Sequence, residues 1–269
     1  MPFAGVRFEN KKECTICLVE DFSDEFKKEI RNTLASIFHG AIEVGALPHY
    51  YTYQSTVIEF LKRYETKDDN VKKGMIGELL AHILLNKYHV NFETLSVLKN
   101  KEERNIKKGF DIMYLHKNDN SLWYSEVKSG HCSPSRKTAA IDPKKSNAGL
   151  LKRAKDGIIE MFESKRDSLW DSALIDATLT MELGNLKNAK ELLANNSPRL
   201  NGSANIKRNV ILITVLYHTV GDKIVLKRLE KFQTKLTKEA VFEKSLLFSI
   251  QKSTLEKVES FLKSETATI

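Results

Sequence analysis

The stretch Gly109–Gly130, GFDIMYLHKNDNSLWYSEVKSG, is where the fold declares itself. Two runs of alternating apolar residues, Phe110–Leu115 and Leu122–Lys128, flank the polar cluster His116–Ser121. Apolar residues at period two on either side of such a cluster spell a β-hairpin. A turn centred between Asn118 and Asp119 sets Asp111 directly across from Glu126, with cross-strand Cβ atoms ~5 Å apart. Side chains alternate along a strand, so Glu126 and Lys128 share that face, while Val127 and Phe110 are expected to point away. Two carboxylates so close are mutually unfavourable and raise each other's pKa. A hard divalent cation removes the penalty, because Mg²⁺ takes oxygen ligands and is commonly held by one or two carboxylates.

Glu-x-Lys alone carries little information, since it also occurs at Glu9, Glu25, Glu65 and Glu163. A Glu–Lys pair on a solvated strand face is ordinary. Glu126 differs in its context: an apolar strand, an aspartate on the paired strand, and Glu78 on the preceding helix.

That helix, Val71–Tyr88, follows Asp69 or Asn70 as its cap. A wide apolar stripe (Met75, Ile76, Leu79, Leu80, Ile83, Leu84) buries it. Glu78 falls among those residues, and a carboxylate on a buried helix face is rarely left without a partner. One account pairs it with a core lysine; the other brings it to the same cation as Asp111 and Glu126. Gly77 beside it permits another backbone to approach closely, and His82 stands one turn on.

Length and charge set the outer limits. A chain of 269 residues can bury a sizeable core, and 41% apolar with 29% charged residues describes a globular protein. Lys and Arg outnumber Asp and Glu by 43 to 35, for a formal charge of +8 and a pI near 9.2. That surplus fits a polyanion partner; a membrane surface is the competing reading, and no basic amphipathic segment stands out to support it. No apolar run approaches the ~18 residues of a membrane span. The first residues, MPFAGVRFE, have no signal-peptide core, and three cysteines make no disulfide framework, so a cytoplasmic setting is expected.

Elsewhere, Glu13–Glu20 is expected as a strand, with Cys14 and Cys17 facing opposite sides and therefore a poor zinc pair. A helix capped by Ser23 or Asp21 is expected to run on to about Gly45, and Thr56–Tyr64 to form a short helix. The charged break Glu65–Asn70 separates an N-terminal extension (1–68) from a core (69–269). Asn91–Leu98 is expected as a strand, and Asp142-Pro143 as the start of a helix. Further helices are expected over Leu169–Leu183 and Leu186–Ala194. Val210–Tyr217 belongs in mid-sheet, with Lys223–Arg228 as its antiparallel neighbour. The tail from Lys238 to Lys263 is expected to be helical throughout. Lys99, Lys101, Arg104, Lys107 and Lys108 form a basic loop at the mouth of the proposed site. Arg136 and Lys137, then Lys152 and Arg153, add basic groups that a phosphate backbone could meet.

Gly77-Glu78 on the first core helix, Gly109-Phe110-Asp111 opening the hairpin and Glu126-Val127-Lys128 on its second strand resemble the restriction-endonuclease-like nucleases of the PD-(D/E)xK type. The wording Gly-Glu-Leu-Leu, Gly-Phe-Asp-Ile and Ser-Glu-Val-Lys-Ser-Gly is similar, more narrowly, to the HamA/AbpA group, nuclease subunits of bacterial anti-phage (Hachiman) systems. The core resemblance spans about Val71 to Phe162. One departure is that no proline precedes Asp111.

The resemblance implies an α/β fold, with a mixed sheet flanked by helices and a mostly helical N-terminal extension. It also implies a Mg²⁺- (or Mn²⁺-) dependent DNase working beside a helicase partner of the HamB/AbpB kind. Asp111, Glu126 and the Val127 carbonyl would hold metal, Glu78 would complete the shell directly or through water, and Lys128 would orient the attacking water. The competing expectation is a non-catalytic basic subunit that binds DNA or regulates a partner, its carboxylates structural.

Overall fold

The computed structural model describes residues 3–99, 109–132, 145–164, 166–201, 206–219, 224–253 and 255–266. Strands β1 (Val6–Lys11) and β2 (Cys14–Val19) lead into helices α1 (Asp24–His39), α2 (Ala41–Ala46), α3 (Tyr53–Glu65) and α4 (Asp69–Tyr88). Then come β3 (Phe92–Thr94), β4 (Ile112–His116) and β5 (Ser121–His131), followed by α5 (Asn147–Glu163), α6 (Asp167–Thr180), α7 (Leu183–Asn196) and the short α8 (Pro198–Asn201). The chain closes with β6 (Asn209–Tyr217), α9 (Leu226–Glu239), β7 (Ser245–Lys252) and α10 (Glu256–Ser264).

Among the described residues seven strands form one mixed sheet in the order β1-β2-β7-β6-β5-β4-β3, so the fold is α/β as expected. The centre, β2-β7-β6-β5, is parallel; both margins are antiparallel. The helices cover both faces, the usual condition for burying parallel strands. One face packs α1, α3, α4 and α10 through residues such as Phe26, Phe60, Leu80 and Val258, against Val127, Ile213 and Ile250 of the sheet. The other packs α5, α6, α7 and α9 through Leu151, Trp170, Leu193 and Leu236, against Tyr124, Leu212 and Leu247. Strands β1 and β2 belong to this same sheet, because β2 pairs with β7. No helix among the described residues is long and apolar enough to cross a membrane.

The hairpin has the register read from its sequence. Ile112 lies opposite Ser125 and His116 opposite Ser121, which continues to Asp111 opposite Glu126. The strand Val210–Tyr217 sits in mid-sheet, between β5 and β7.

Four expectations need correction. The first long helix stops at His39, because Gly40 takes φ +100° and its bare Cα lies against Leu179. Only Phe92–Thr94 of the expected strand 91–98 pairs as a strand. Beyond it, the Ser96 hydroxyl accepts from the Met113 N–H at 2.9 Å, and Leu98 and Lys99 bond back to the end of α1. Of the expected strand Lys223–Arg228, residue 223 lies outside the described residues and Leu226 opens α9, whose Leu229, Gln233 and Leu236 form a helical stripe. The tail is not helical throughout: β7 occupies its centre. Phe242, Leu246 and Ile250 mimic helical i,i+4 spacing, but this run is a strand packed on both faces. The expected start of α5 at Asp142-Pro143 also lies outside the described residues; the helix is capped by the Ser146 side chain, which accepts from the Gly149 N–H at 3.2 Å.

Candidate active site

Strand β5 carries two of the candidate residues, Glu126 and Lys128. Along it Trp123 and Val127 belong to the α4 face, while Tyr124 belongs to the α5 face. Glu126 and Lys128 therefore project to the α5 face. Glu126 is only 5% exposed, and a Cβ added at Gly157 of α5 would lie 2.9 Å from its Oε1. The carboxylate has been given its place by a glycine on the covering helix.

Lys128 forms an ion pair with Glu126. Asp111 stands just before the first paired residue of β4, and its Oδ2 accepts a hydrogen bond from the Val127 N–H at 2.8 Å. Since β4 ends there, that N–H has no ladder partner, and the aspartate supplies one. The carbonyl of a strand residue projects to the same side as its N–H, so the Val127 carbonyl faces the Asp111 side.

Phe110 does not point to the side of Val127. The chain turns before β4, and Phe110 packs with Tyr124, Phe162 and Trp170 on the α5 face, at ring-centroid distances of 4.7–5.8 Å. This aromatic floor lies behind the acids. Arg208, which the sequence reading passed over, closes it: its guanidinium lies 4.8 Å from the Phe162 centroid and 5.2 Å from that of Trp170.

The electrostatics follow from burial. Desolvation first, and then the charge of Asp111, raise the Glu126 pKa; Lys128 opposes the rise and Glu78 adds to it. For Lys128, burial works against the ammonium, but the charges of Glu126 and Asp111 outweigh it and the pKa is raised.

Glu78 stands on α4, which packs on the opposite face of the sheet. Gly77 lets α4 press against β5, since a Cβ there would collide with the Ser129 side chain. From that position the charge of Glu78 acts on both Glu126 and Lys128. His82 is buried on the same helix. Cys14 and Cys17 are buried on opposite faces of β2 and make no pair.

Among the described residues no group of three or more His, Cys, Asp or Glu is gathered so as to hold a metal ion. The charge of Asp111 acts on Glu126, and these two carboxylates with the Val127 carbonyl offer oxygen, the ligand type of a hard divalent cation.

Of the basic residues, Arg153 places its Nη2 3.7 Å from where a Cβ on Gly130 would lie, two residues past Lys128. Lys152 is exposed and paired with Asp156 at 3.7 Å. Lys99 is tied to Glu59 at 2.9 Å. Lys101, Arg104, Lys107, Lys108, Arg136 and Lys137 lie outside the described residues.

A second feature missed from sequence anchors α5 beside Lys128. Asn147 Nδ2 donates to Ser249 Oγ at 3.1 Å, and the Thr214 hydroxyl donates to Asn147 Oδ1 at 2.6 Å. Thr214 and Ser249 lie 2.9 Å apart on adjacent strands, and Thr214 is the β6 partner of Lys128.

The HamA family model matches residues 6–265, nearly the whole chain. The chain belongs to the HamA family. The match takes in both margins of the sheet, β1 to β3, and all ten of the described helices, so HamA membership describes the molecule rather than one motif. No curated protein and no solved structure matches the chain.

Proposed function

We propose that this HamA-family chain is a divalent-metal-dependent deoxyribonuclease of the restriction-endonuclease-like, PD-(D/E)xK kind. In this reading it is the effector of an anti-phage defence system and works beside a helicase partner. The observation that carries the reading is Asp111, Glu126 and Lys128 meeting at the end of the hairpin, two acids and one ammonium. Membership in the HamA family supports the defence role, and the +8 charge suits a polyanionic substrate.

Asp111, Glu126 and the Val127 carbonyl would hold the ion, with Glu78 contributing through its charge or through water. The Glu126 pKa, raised by burial and by Asp111, supports a pocket that would take up positive charge. A bound Mg²⁺ or Mn²⁺ supplies that charge, offsets charge developing on the phosphoryl oxygens and lowers the pKa of its water. Lys128 keeps its proton, so it orients the attacking water and stabilises negative charge rather than removing a proton. With Glu126 engaged as a ligand, Lys128 would be released from its ion pair for that task.

One observation favours a second reading. Asp111 already satisfies the Val127 N–H and Glu126 already pairs with Lys128. The cluster is thus self-consistent as a structural element of a non-catalytic DNA-binding or partner-regulating subunit.

Plasmid cleavage with Mg²⁺ or Mn²⁺, with EDTA, and by Glu126→Gln and Lys128→Ala tests the enzyme reading. Calorimetry with Mg²⁺ and Mn²⁺, using Asp111→Ala as control, tests it without requiring a partner. Cation binding that is indifferent to Asp111 and Glu126 overturns it.

A further inference from the structure

On the catalytic face, the N-terminal end of α5 and the first half of α9 enclose a groove of about 410 Å³. Cys132, just past the end of β5, lines it, four residues beyond Lys128. At ~3.3 Å per residue, Cys132 lies about 13 Å along the main chain from Lys128. Arg153, over Gly130, stands between the two.

The floor of the groove is apolar, made by Leu151, Leu229 and Phe232. Its charged lining is exclusively cationic: Arg228, Lys231 and Lys235, on one stripe of α9. Lys235 is held at 3.7 Å from Glu239. Arg228 and Lys231 are exposed and, among the described residues, have no carboxylate within ion-pair distance. A functionless solvated helix face usually interleaves both signs of charge. Here two uncompensated cations border an aromatic floor.

Cations that track phosphates, above an apolar or aromatic floor that receives base faces, are the signature of unpaired nucleic acid recognition. A duplex keeps its base faces inside, so the floor would offer it nothing. The volume is that of a small-ligand pocket, ~300–1,000 Å³, enough for a nucleotide or two and far too narrow for a double helix.

We propose that the α5–α9 groove is a subsite for unpaired DNA, seating a base against Phe232 and flanking phosphates on Arg228 and Lys231. The inference rests on the nuclease reading and deepens it: the strand to be cut is held open beside the acids.

The test is fluorescence polarisation with the full chain in EDTA, so that nothing is cleaved. The probes are a labelled oligo-dT of about 20 nucleotides and a blunt duplex of equal length, sizes that exceed a single-domain footprint. Arg228→Glu/Lys231→Glu should weaken oligo-dT binding about tenfold or more and flatten its salt dependence. Phe232→Leu, which preserves packing, should weaken it about fivefold through lost stacking. Lys28→Glu/Lys62→Glu, with the same net charge on the opposite face, should change little. Oligo-dT binding by the groove variant equal to that of this control overturns the subsite, as does tighter binding of duplex or no binding of either probe. Metal binding through Asp111 and Glu126 is measured separately, so loss of the groove leaves the nuclease reading standing.

Discussion

The Asp111 carboxylate accepts the Val127 N–H at 2.8 Å, across the open end of the hairpin. One side chain thereby closes the backbone ladder and is a candidate ligand. The two roles separate by substitution. Asp111→Asn keeps an oxygen for the N–H and removes the charge, so the protein should unfold at nearly the wild-type denaturant midpoint while cation binding and cleavage are lost. Asp111→Ala leaves the N–H without a partner and should cost about 1–3 kcal/mol in addition. Equal destabilisation by both variants would mean that the charge, not the hydrogen bond, holds the hairpin end.

Gly157 is the floor beneath Glu126. Gly157→Ala should stabilise α5 locally by up to about 1 kcal/mol, since alanine is the better helix former. Its methyl would lie 2.9 Å from Glu126 Oε1 and displace the carboxylate. The expected result is a folded protein whose cleavage rate falls about tenfold or more, a barrier change of only ~1.4 kcal/mol. Unchanged cleavage by this variant would show that Glu126 tolerates the shift.

Glu126 must give up its proton to act as a ligand, and its pKa is raised by burial and by Asp111. Cation affinity should therefore fall as pH drops through neutrality. An ordinary glutamate would lose affinity only near its usual pKa of about 4.3. Calorimetry at about pH 8, 7 and 6 measures this, and Glu126→Gln should show weak binding with little pH dependence.

Lys252 offers a stability test away from the site. It is 1% exposed, with its ammonium 4.8 Å from the Phe22 ring centroid. Burial, and then the charge of Lys257, lower its pKa from 10.5 to about 8. Between those values the unfolded chain holds a proton that the folded chain lacks, so stability rises with pH across the window, by up to roughly 3 kcal/mol. Below the folded pKa the whole cost of burying the charge is present. Lys252→Met should be more stable than wild type at neutral pH, and the advantage should shrink above about pH 8 and vanish near 10.5. Parallel stability–pH curves for the two proteins would refute the assignment.

The hairpin was legible because three signals agreed: period-two apolar runs, a polar turn, and two acids equidistant from its centre. The break at Gly40 was not, because glycine in an otherwise apolar-striped stretch is tolerated by helices and only the approach of Leu179 makes it obligatory. Strand β7 was hidden for a different reason. Buried on both faces, it sets the polar Ser249, Gln251 and Lys252 among apolar residues and has no solvated face to mark it, and Phe242, Leu246 and Ile250 fit a helical stripe equally well. Missing β7 also concealed the Asn147–Thr214–Ser249 ring. Thr214 and Ser249 are lone hydroxyls in apolar runs, and only their adjacency in register gives them meaning. The expected convergence of Glu78 with Asp111 and Glu126 is seen only as a charge effect: among the described residues no three acids gather to hold a metal, and α4 packs on the opposite face of the sheet.

Strand β7 has a bearing on biosynthesis. It lies between β2 and β6, yet it is the last strand to be translated. A nascent chain that has passed Tyr217 but not Lys252 exposes two unmatched parallel edges, one from each end of the polypeptide, and unsatisfied edges invite misassociation. Eight residues, Ser245–Lys252, join the first part of the chain to the rest, so a product terminated ahead of them would keep the hairpin but leave the sheet in two pieces.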